Sequence, residues 1–185
     1  MLFRSLKDEN EVLKWDGVKR SIAAWNQDHD LRSALKASAV WFYVEVSKRV
    51  GREKMQKFYD AADYGNRRTN GFGEDYWNKG DLRVTPKEQI EFLVRLYENR
   101  LPFAPHSIKI VKDILITEQT DKYILRAKTG WSSAYTPQVG WFVGYVEKGS
   151  QAYFFAAEID IKKDEDAAKR AEITKNVLKS LQIIE

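Results

Sequence analysis

The sequence predicts an α+β domain in which helices flank an antiparallel sheet, because the spacing of its apolar residues changes along the chain. Before Leu115 the apolar residues recur every three or four positions, as in amphipathic helices. From Lys122 to Asp160 they alternate with a period of two, as in strands. A helical pattern returns after Asp160. Helices followed by a run of strands indicate an α+β layout.

The composition indicates a folded domain and excludes any role for cysteine. Its 185 residues are enough for one domain with a core, and 43% are hydrophobic and 13% aromatic, which excludes extensive disorder. The absence of cysteine excludes disulfides, zinc–thiolate sites and cysteine nucleophiles. The net charge of +4 is mixed with acidic residues along the chain, so we predict no nucleic-acid partner.

We predict neither a membrane segment nor a signal peptide in this chain. No run of about 18 apolar residues occurs anywhere in it. Residues 1–12 have no long apolar stretch and become acidic within the first ten residues, unlike a secretory leader.

Helices are predicted at five places, which are Leu31–Val50, Glu53–Ala62, the residues after Thr85, Ser107–Leu115, and a last helix capped by Asp164 or Asp166. The helix after Thr85 has the strongest signal. Thr85 is a favourable N-cap, and Glu88 three residues later completes a capping box. In the last helix we expect Val177 and Leu181, among others, to face the sheet.

Three strands are predicted, at Lys122–Lys128, Val139–Glu147 and Ala152–Asp160. The residues Lys148-Gly149-Ser150-Gln151 indicate a hairpin between the second and third. Gly140 and Gly144 share one face of the middle strand, where we expect a helix to approach closely.

The most informative chemistry is that of Lys128-Thr129-Gly130, at the end of the first predicted strand. A lysine ammonium and a threonine hydroxyl on an open strand edge hold a carboxylate well, and glycine leaves room for a substrate backbone. The next backbone N–H, that of Trp131, is placed to stabilise an oxyanion. Three residues recur by chance, so the triplet alone is also consistent with a surface lysine before a turn.

Further motifs make the chain resemble the class D serine β-lactamases. In the order that this family shows, they are Ser38-Ala39-Val40, Tyr64-Gly65-Asn66, Trp77, Lys128-Thr129-Gly130 and Trp141-Phe142-Val143-Gly144. Similarity extends from about Lys7 to the C-terminus. It implies a serine β-lactamase/transpeptidase-like fold, with an antiparallel sheet between helical layers (αβα) and an N-terminal part missing, so that residues 1–185 form one incomplete domain.

The resemblance also implies roles for single residues. Ser38 would relay a proton, Val40 would cover the general-base lysine, and Trp77 would hydrogen-bond the carbamate that this family forms on that lysine. Lys128, Thr129, Gly130 and Arg170 would bind the substrate carboxylate and the adjoining backbone, with the N–H of Trp131 as half of the oxyanion hole. Tyr64-Gly65-Asn66 would be structural. Two departures, Asn78 where a leucine is common and Ala134 where some relatives carry arginine, bear on substrate range.

The family's catalytic S-x-x-K would lie before Trp15-Asp16-Gly17, and residues 1–6 do not resemble it. We therefore expect the nucleophilic serine and the carbamylated lysine to be absent, which leaves no cofactor in this chain. Ser33-Ala34-Leu35-Lys36 has the same spacing, but lies too near Ser38 and is interpreted as part of an ordinary helix.

Other catalytic schemes have little support. His29 and His106 are interpreted as solvated polar residues, so a serine–histidine triad is not predicted. No metal site is predicted, because the chain has no H-x-x-x-H spacing.

The leading hypothesis is a piece of a β-lactam-hydrolysing enzyme, periplasmic or secreted when complete and inactive by itself. A β-lactam sensor that binds without turnover is the alternative, and a structural remnant is the third. For such a remnant, missing strands would expose apolar faces and an unpaired sheet edge, so we expect self-association or poor solubility.

Overall fold

The computed structural model describes residues 6–70 and 76–185. Its elements, in chain order, are the helices α1 (Leu31–Ala37), α2 (Val40–Val50), α3 (Arg52–Ala62), α4 (Pro86–Tyr97) and α5 (Pro105–Ile114), the strands β1 (Ile116–Gln119), β2 (Ile124–Ser132), β3 (Gln138–Lys148) and β4 (Gln151–Ile161), and the helix α6 (Asp166–Ser180). A short 3-10 turn spans Ala23–Trp25. Within this part of the chain, none of the helices has the length and apolarity needed to cross a bilayer.

The predicted single helix over residues 31–50 is wrong, because the chain breaks at Ser38. Ser38 adopts a left-handed conformation, with φ 53° and ψ 41°, and its N–H donates to the carbonyls of Ala34 and Leu35. Ala39 is extended, and α2 starts at Val40. The apolar periodicity continues across the break, so it cannot reveal a positive φ at a serine, which is uncommon.

The capping box predicted at α4 is confirmed. The Thr85 hydroxyl accepts the N–H of Glu88 at 3.3 Å, and the Glu88 carboxylate accepts the N–H of Thr85 at 2.7 Å. Proline occupies the first turn, where its missing N–H costs nothing. This exchange explains why the helix begins at Pro86.

The sheet contains one strand more than the three predicted, in the order β1-β2-β3-β4 with every pair antiparallel. The additional strand, β1, has only four residues and pairs with β2 through an irregular register. A strand so short leaves too little alternation to recognise. The hairpin between β3 and β4 is confirmed, and Gly149 supplies its positive φ of 59°.

Helices cover both faces of the sheet, which confirms the αβα arrangement. On one face Phe142 and Phe155 pack with Leu178 of α6. On the other, Tyr145 packs with Leu93 of α4. A third apolar cluster lies among α1, α2 and α3 and contains Phe42, Val46 and Met55, all buried.

Three details of the C-terminal half differ from expectation. Val177 and Leu181 are 51% and 62% exposed, so they do not face the sheet. Asp166 is the first residue of α6, and its carboxylate accepts two preceding backbone N–H groups, whereas the N-cap residue makes no side-chain cap. At Gly144 the close neighbour is a strand and not a helix, because a Cβ there would lie 2.1 Å from the Arg126 carbonyl oxygen.

An apolar flank of α6 lies near the open edge of the sheet. The opposite flank of this helix reaches β1, through an ion pair of 2.8 Å between Lys175 and Glu118. Ile173, Val177 and Leu181 therefore project towards the β4 side, and all three are at least half exposed. Beyond β4 no further strand pairs within the described part of the chain.

We expect removal of the Thr85 hydroxyl to destabilise the chain. Thr85→Ala should lower the free energy of unfolding by about 1 kcal/mol, because the N–H of Glu88 loses its acceptor. Urea denaturation followed by tryptophan fluorescence measures the change. Lys87→Ala, in the same exposed turn, is the control and should have a much smaller effect. Equal stability of Thr85→Ala and the unchanged chain would contradict the capping role.

We also expect the purified chain to self-associate as its concentration rises. Charges placed on the α6 flank by Val177→Glu and Leu181→Glu should reduce this association, because they oppose burial of that surface. Sedimentation velocity over a concentration series measures it, with Lys179→Glu on the opposite flank as control. A chain that stays monomeric throughout the series would show that the open edge is already protected.

Candidate active site

The site is built on a stretch of β2 that has no neighbouring strand on one side. Pairing with β1 ends at Arg126, and the N–H of Ala127 still donates to the carbonyl of Leu115 at 2.8 Å. Because backbone direction alternates along a strand, the N–H groups of Thr129 and Trp131 point to the same side. That side is open from Lys128 to Trp131 among the described residues, so an extended ligand has room to lie along it.

Lys128 connects this strand with the helical layer. Its ammonium donates to the Ser38 hydroxyl at 2.5 Å and to the Thr129 carbonyl at 2.7 Å, and the Thr129 hydroxyl lies 3.5 Å away. Burial and the nearby positive charge of Arg170 lower the pKa of Lys128 to about 8. The ammonium is therefore protonated at neutral pH, but at an electrostatic cost.

Arg170 contributes a second cation from α6. Its Nε and Nη1 atoms are buried and have no hydrogen-bond partner, and burial lowers its pKa. Within the described part of the chain neither Arg170 nor Lys128 forms an ion pair with a carboxylate. Two neighbouring cations without a counterion favour an anionic ligand, because its charge offsets both desolvation costs.

The left-handed turn at Ser38 places its hydroxyl beside Lys128. Two tryptophans hold this turn, since the indole N–H of Trp25 donates to the carbonyl of Ala37 at 2.9 Å, and that of Trp41 donates to the carbonyl of Trp25 at 2.8 Å. Sequence reasoning missed both supporting residues, whose spacing carries no catalytic signal. Val40 follows as the first residue of α2, half-buried.

The loop with Trp77 borders the helical cluster. Trp77 meets Tyr76 edge to face, with 4.9 Å between ring centroids, and packs against the cluster of α1, α2 and α3. The carbonyl of Asn78 accepts the Ser132 hydroxyl at 2.8 Å, which connects this loop to the end of β2. The predicted loop residues Gly71 and Gly73 lie outside the described residues.

Tyr64-Gly65-Asn66 anchors the same loop and makes no hydrogen bond to Ser38 or Lys128. Tyr64 donates to the Gln89 side chain at 2.8 Å. Gly65 has φ 53°, and a Cβ there would lie 2.1 Å from the Arg83 carbonyl oxygen. The amide of Asn66 accepts the N–H of Arg83 at 3.0 Å and donates to the carbonyl of Asp81 at 2.7 Å.

The interpretation of His29 as a solvated residue is wrong. His29 is 1% exposed, with one ring nitrogen 2.9 Å from the Ala24 carbonyl and the other 3.1 Å from the Ser33 hydroxyl. Ser33 in turn caps α1 together with Asp30. His106 lies on the surface, 3.8 Å from a carboxylate oxygen of Glu9. Residues 6–70 and 76–185 contain no group of three side chains arranged to hold a metal ion.

Comparison with known proteins gives one consistent family. The model of the penicillin binding protein transpeptidase domain matches residues 4–179. The chain is 43% identical over 179 residues to beta-lactamase OXA-48 of Klebsiella pneumoniae, covering 97% of this chain and 68% of that protein. It is 42% identical over 179 residues to beta-lactamase OXA-3 of Pseudomonas aeruginosa, covering 96% of this chain and 64% of that protein.

Solved structures agree with the sequence relatives. The class D β-lactamase YbXI from Nostoc superposes with a TM-score of 0.92 at 42% identity, covering 98% of this chain and 80% of that one. FUS-1 (OXA-85), a class D β-lactamase from Fusobacterium nucleatum subsp. polymorphum, superposes with a TM-score of 0.94 at 34% identity. The match covers 97% of this chain and 75% of that one. The chain therefore belongs to the penicillin-binding transpeptidase domain family and, within it, to the class D β-lactamases. It spans 64% to 68% of the length of the two sequence relatives.

We predict that Arg170 holds down the pKa of Lys128. Arg170→Gln removes a like charge, so the Lys128 pKa should rise from about 8 towards its usual value. The ¹³Cε chemical shift of Lys128 against pH measures it. Lys169→Gln is the control, because Lys169 lies next on the helix but pairs with Asp166. A Lys128 pKa unchanged by Arg170→Gln would contradict the coupling.

Proposed function

We propose that this chain forms the carboxylate-binding wall of a class D β-lactamase, an enzyme that acylates a serine with a β-lactam and then hydrolyses the acyl-enzyme. The observation that supports this most strongly is the contact of Lys128 with Ser38 beside the unpaired Arg170. The serine nucleophile would come from the family's catalytic S-x-x-K segment, which is distinct from the Ser33-Ala34-Leu35-Lys36 stretch of this chain, so the chain alone should not turn over substrate.

Binding starts from the substrate carboxylate. Lys128 and Thr129 lie side by side on β2, and Arg170 brings two N–H donors without partners. A planar guanidinium suits a carboxylate through two parallel hydrogen bonds. Gly130 has no side chain that could obstruct a ligand along β2, and a Cβ there would also lie only 3.3 Å from the side chain of its β3 neighbour Trp141. These groups would fix the fused ring of a β-lactam along the edge.

Acyl transfer then needs donors for the oxygen that becomes negative. The N–H of Ala127 points away from β3, and the N–H of Trp131, four residues later on β2, points to the same unpaired side. It can therefore donate to that oxygen. The Ser38 hydroxyl, which accepts from Lys128, can pass a proton to the lactam nitrogen as the C–N bond breaks. Ser38 and Lys128 thus act as the proton relay in this proposal.

Val40 and Trp77 would enclose the general-base lysine of the complete enzyme. By the family resemblance that lysine carries a carbamate, which Trp77 would hydrogen-bond and Val40 would shield from water. No cofactor other than this modified lysine is proposed, and the complete protein would be periplasmic or secreted.

One observation favours the alternative of a β-lactam sensor that is acylated but releases the drug slowly. Asn78 is a half-buried polar residue beside Trp77, at a position where the family resemblance implies that leucine is common. A polar side chain there would admit water and destabilise a carbamate, which slows deacylation. The complete protein would then show a single burst of drug consumption without steady turnover.

Nitrocefin hydrolysis by the purified chain tests the proposal. We expect no turnover above buffer, because a site without its nucleophile retains only binding and electrostatic stabilisation. Benzylpenicillin should nevertheless quench tryptophan fluorescence, and Lys128→Ala should abolish this quenching, with Lys122→Ala as a surface control. Steady hydrolysis would show that the nucleophile lies within residues 1–185, and the absence of binding would contradict the proposed site.

A further inference from the structure

We infer that Arg83 and Tyr135 form a gate that limits the size of the β-lactam side chain at the outer end of the cleft, an inference that rests on the proposed function. The two residues lie 52 positions apart. The Arg83 guanidinium carbon lies 4.9 Å from the centroid of the Tyr135 ring, and one of its nitrogens donates to the Tyr135 hydroxyl. The contact therefore connects two separate loops.

Arg83 is held in place by hydrogen bonds that do not involve Tyr135. Its Nη1 donates to the carbonyls of Gly80 and Leu82 at 2.7 and 2.8 Å. Its backbone N–H and C=O both bond to Asn66, at 3.0 and 2.9 Å. These hydrogen bonds fix the Arg83 guanidinium independently of its contact with the Tyr135 ring. In the proposed gate, the Tyr135 ring is therefore the part that moves.

Tyr135 lies where the cleft ends. It belongs to the connection between β2 and β3, three residues after Ser132, whose hydroxyl bonds to the carbonyl of Asn78. The Ser132 and Tyr135 contacts together fasten the connection to the loop 76–84. The open edge of β2 is therefore bounded by β1 at one end and by this loop at the other, which leaves about four residues, or roughly 13 Å, for a ligand.

The gate is weak enough for a ligand to open it. Arg83 and Tyr135 are both exposed, and Tyr135 is 38% accessible. A cation–π contact at an exposed site shifts an equilibrium by only about two- to fivefold. A compact β-lactam fits inside the closed gate. A bulky one must displace the Tyr135 ring, which breaks the cation–π contact and weakens its binding by about the same two- to fivefold. Arg83 and Tyr135 thereby influence specificity without touching the reacting atoms.

The test compares a small and a bulky penicillin on the intact chain by isothermal titration calorimetry. The ligands are 6-aminopenicillanic acid and cloxacillin, which share the carboxylate and differ in side chain. Tyr135→Ala and Arg83→Gln should each improve cloxacillin binding about two- to fivefold relative to 6-aminopenicillanic acid. Arg100→Gln, an exposed arginine that pairs with Glu98 away from the cleft, should leave the ratio unchanged.

The outcomes separate the gate from the proposed function. Binding of both penicillins with an unchanged ratio in the two variants would overturn the gate and leave the proposed function intact. If the unchanged chain binds neither penicillin, both fail. Amide hydrogen exchange gives a second readout, because Tyr135→Ala should speed exchange in residues 76–84, whereas Tyr135→Phe, which keeps the ring, should do so less. Equal exchange in all three proteins would also overturn the gate.

Discussion

The cleft depends on one half-buried cation, Lys128, whose ammonium donates to the Ser38 hydroxyl and lies near the charge of Arg170. Burial of an ammonium beside a like charge is costly, so the rest of the fold must hold these groups in place. Under the proposed function, an incoming carboxylate would relieve the repulsion. The resting chain is thus electrostatically prepared for an anion, and the three residues bring together the helical layer, the sheet and α6.

Two features of the fold keep the cleft open. The break between α1 and α2 gives Ser38 its left-handed conformation, and Trp25 and Trp41 hold the backbone there. The shortness of β1 leaves the edge of β2 unpaired beyond Arg126. A longer β1 would cover the N–H of Trp131, so the length of this strand determines how much of the β2 edge stays unpaired.

Much of this architecture could be predicted from the sequence, because local chemistry determines it. Thr85 and Glu88 specify the start of α4, and Gly149 marks the hairpin between β3 and β4. The order of the motifs identified the class D family, which the comparisons confirmed. Periodicity could not reveal the break at Ser38, since Trp25 and Trp41 hold it through contacts distant in sequence.

The family resemblance named the site residues and implied their roles, but it did not give their geometry or burial. Lys128 and Arg170 were expected to share a ligand from the resemblance, but the missing counterion and the altered pKa of Lys128 depend on burial, which sequence does not give. The burial of His29 was missed for the same reason, because its partners are the Ala24 carbonyl and Ser33. The contact of Arg83 with Tyr135 joins two loops and carries no motif.

The central claim is that Lys128 and Arg170 receive a carboxylate at a site whose reacting hydroxyl is supplied by another segment. A crystal structure of this chain soaked with benzylpenicillin tests it most directly. We expect the drug carboxylate between the Lys128 ammonium and the Arg170 guanidinium, without any covalent bond to the chain. An ester between the drug and Ser38 or Ser33, or a drug bound away from Lys128, would contradict the claim.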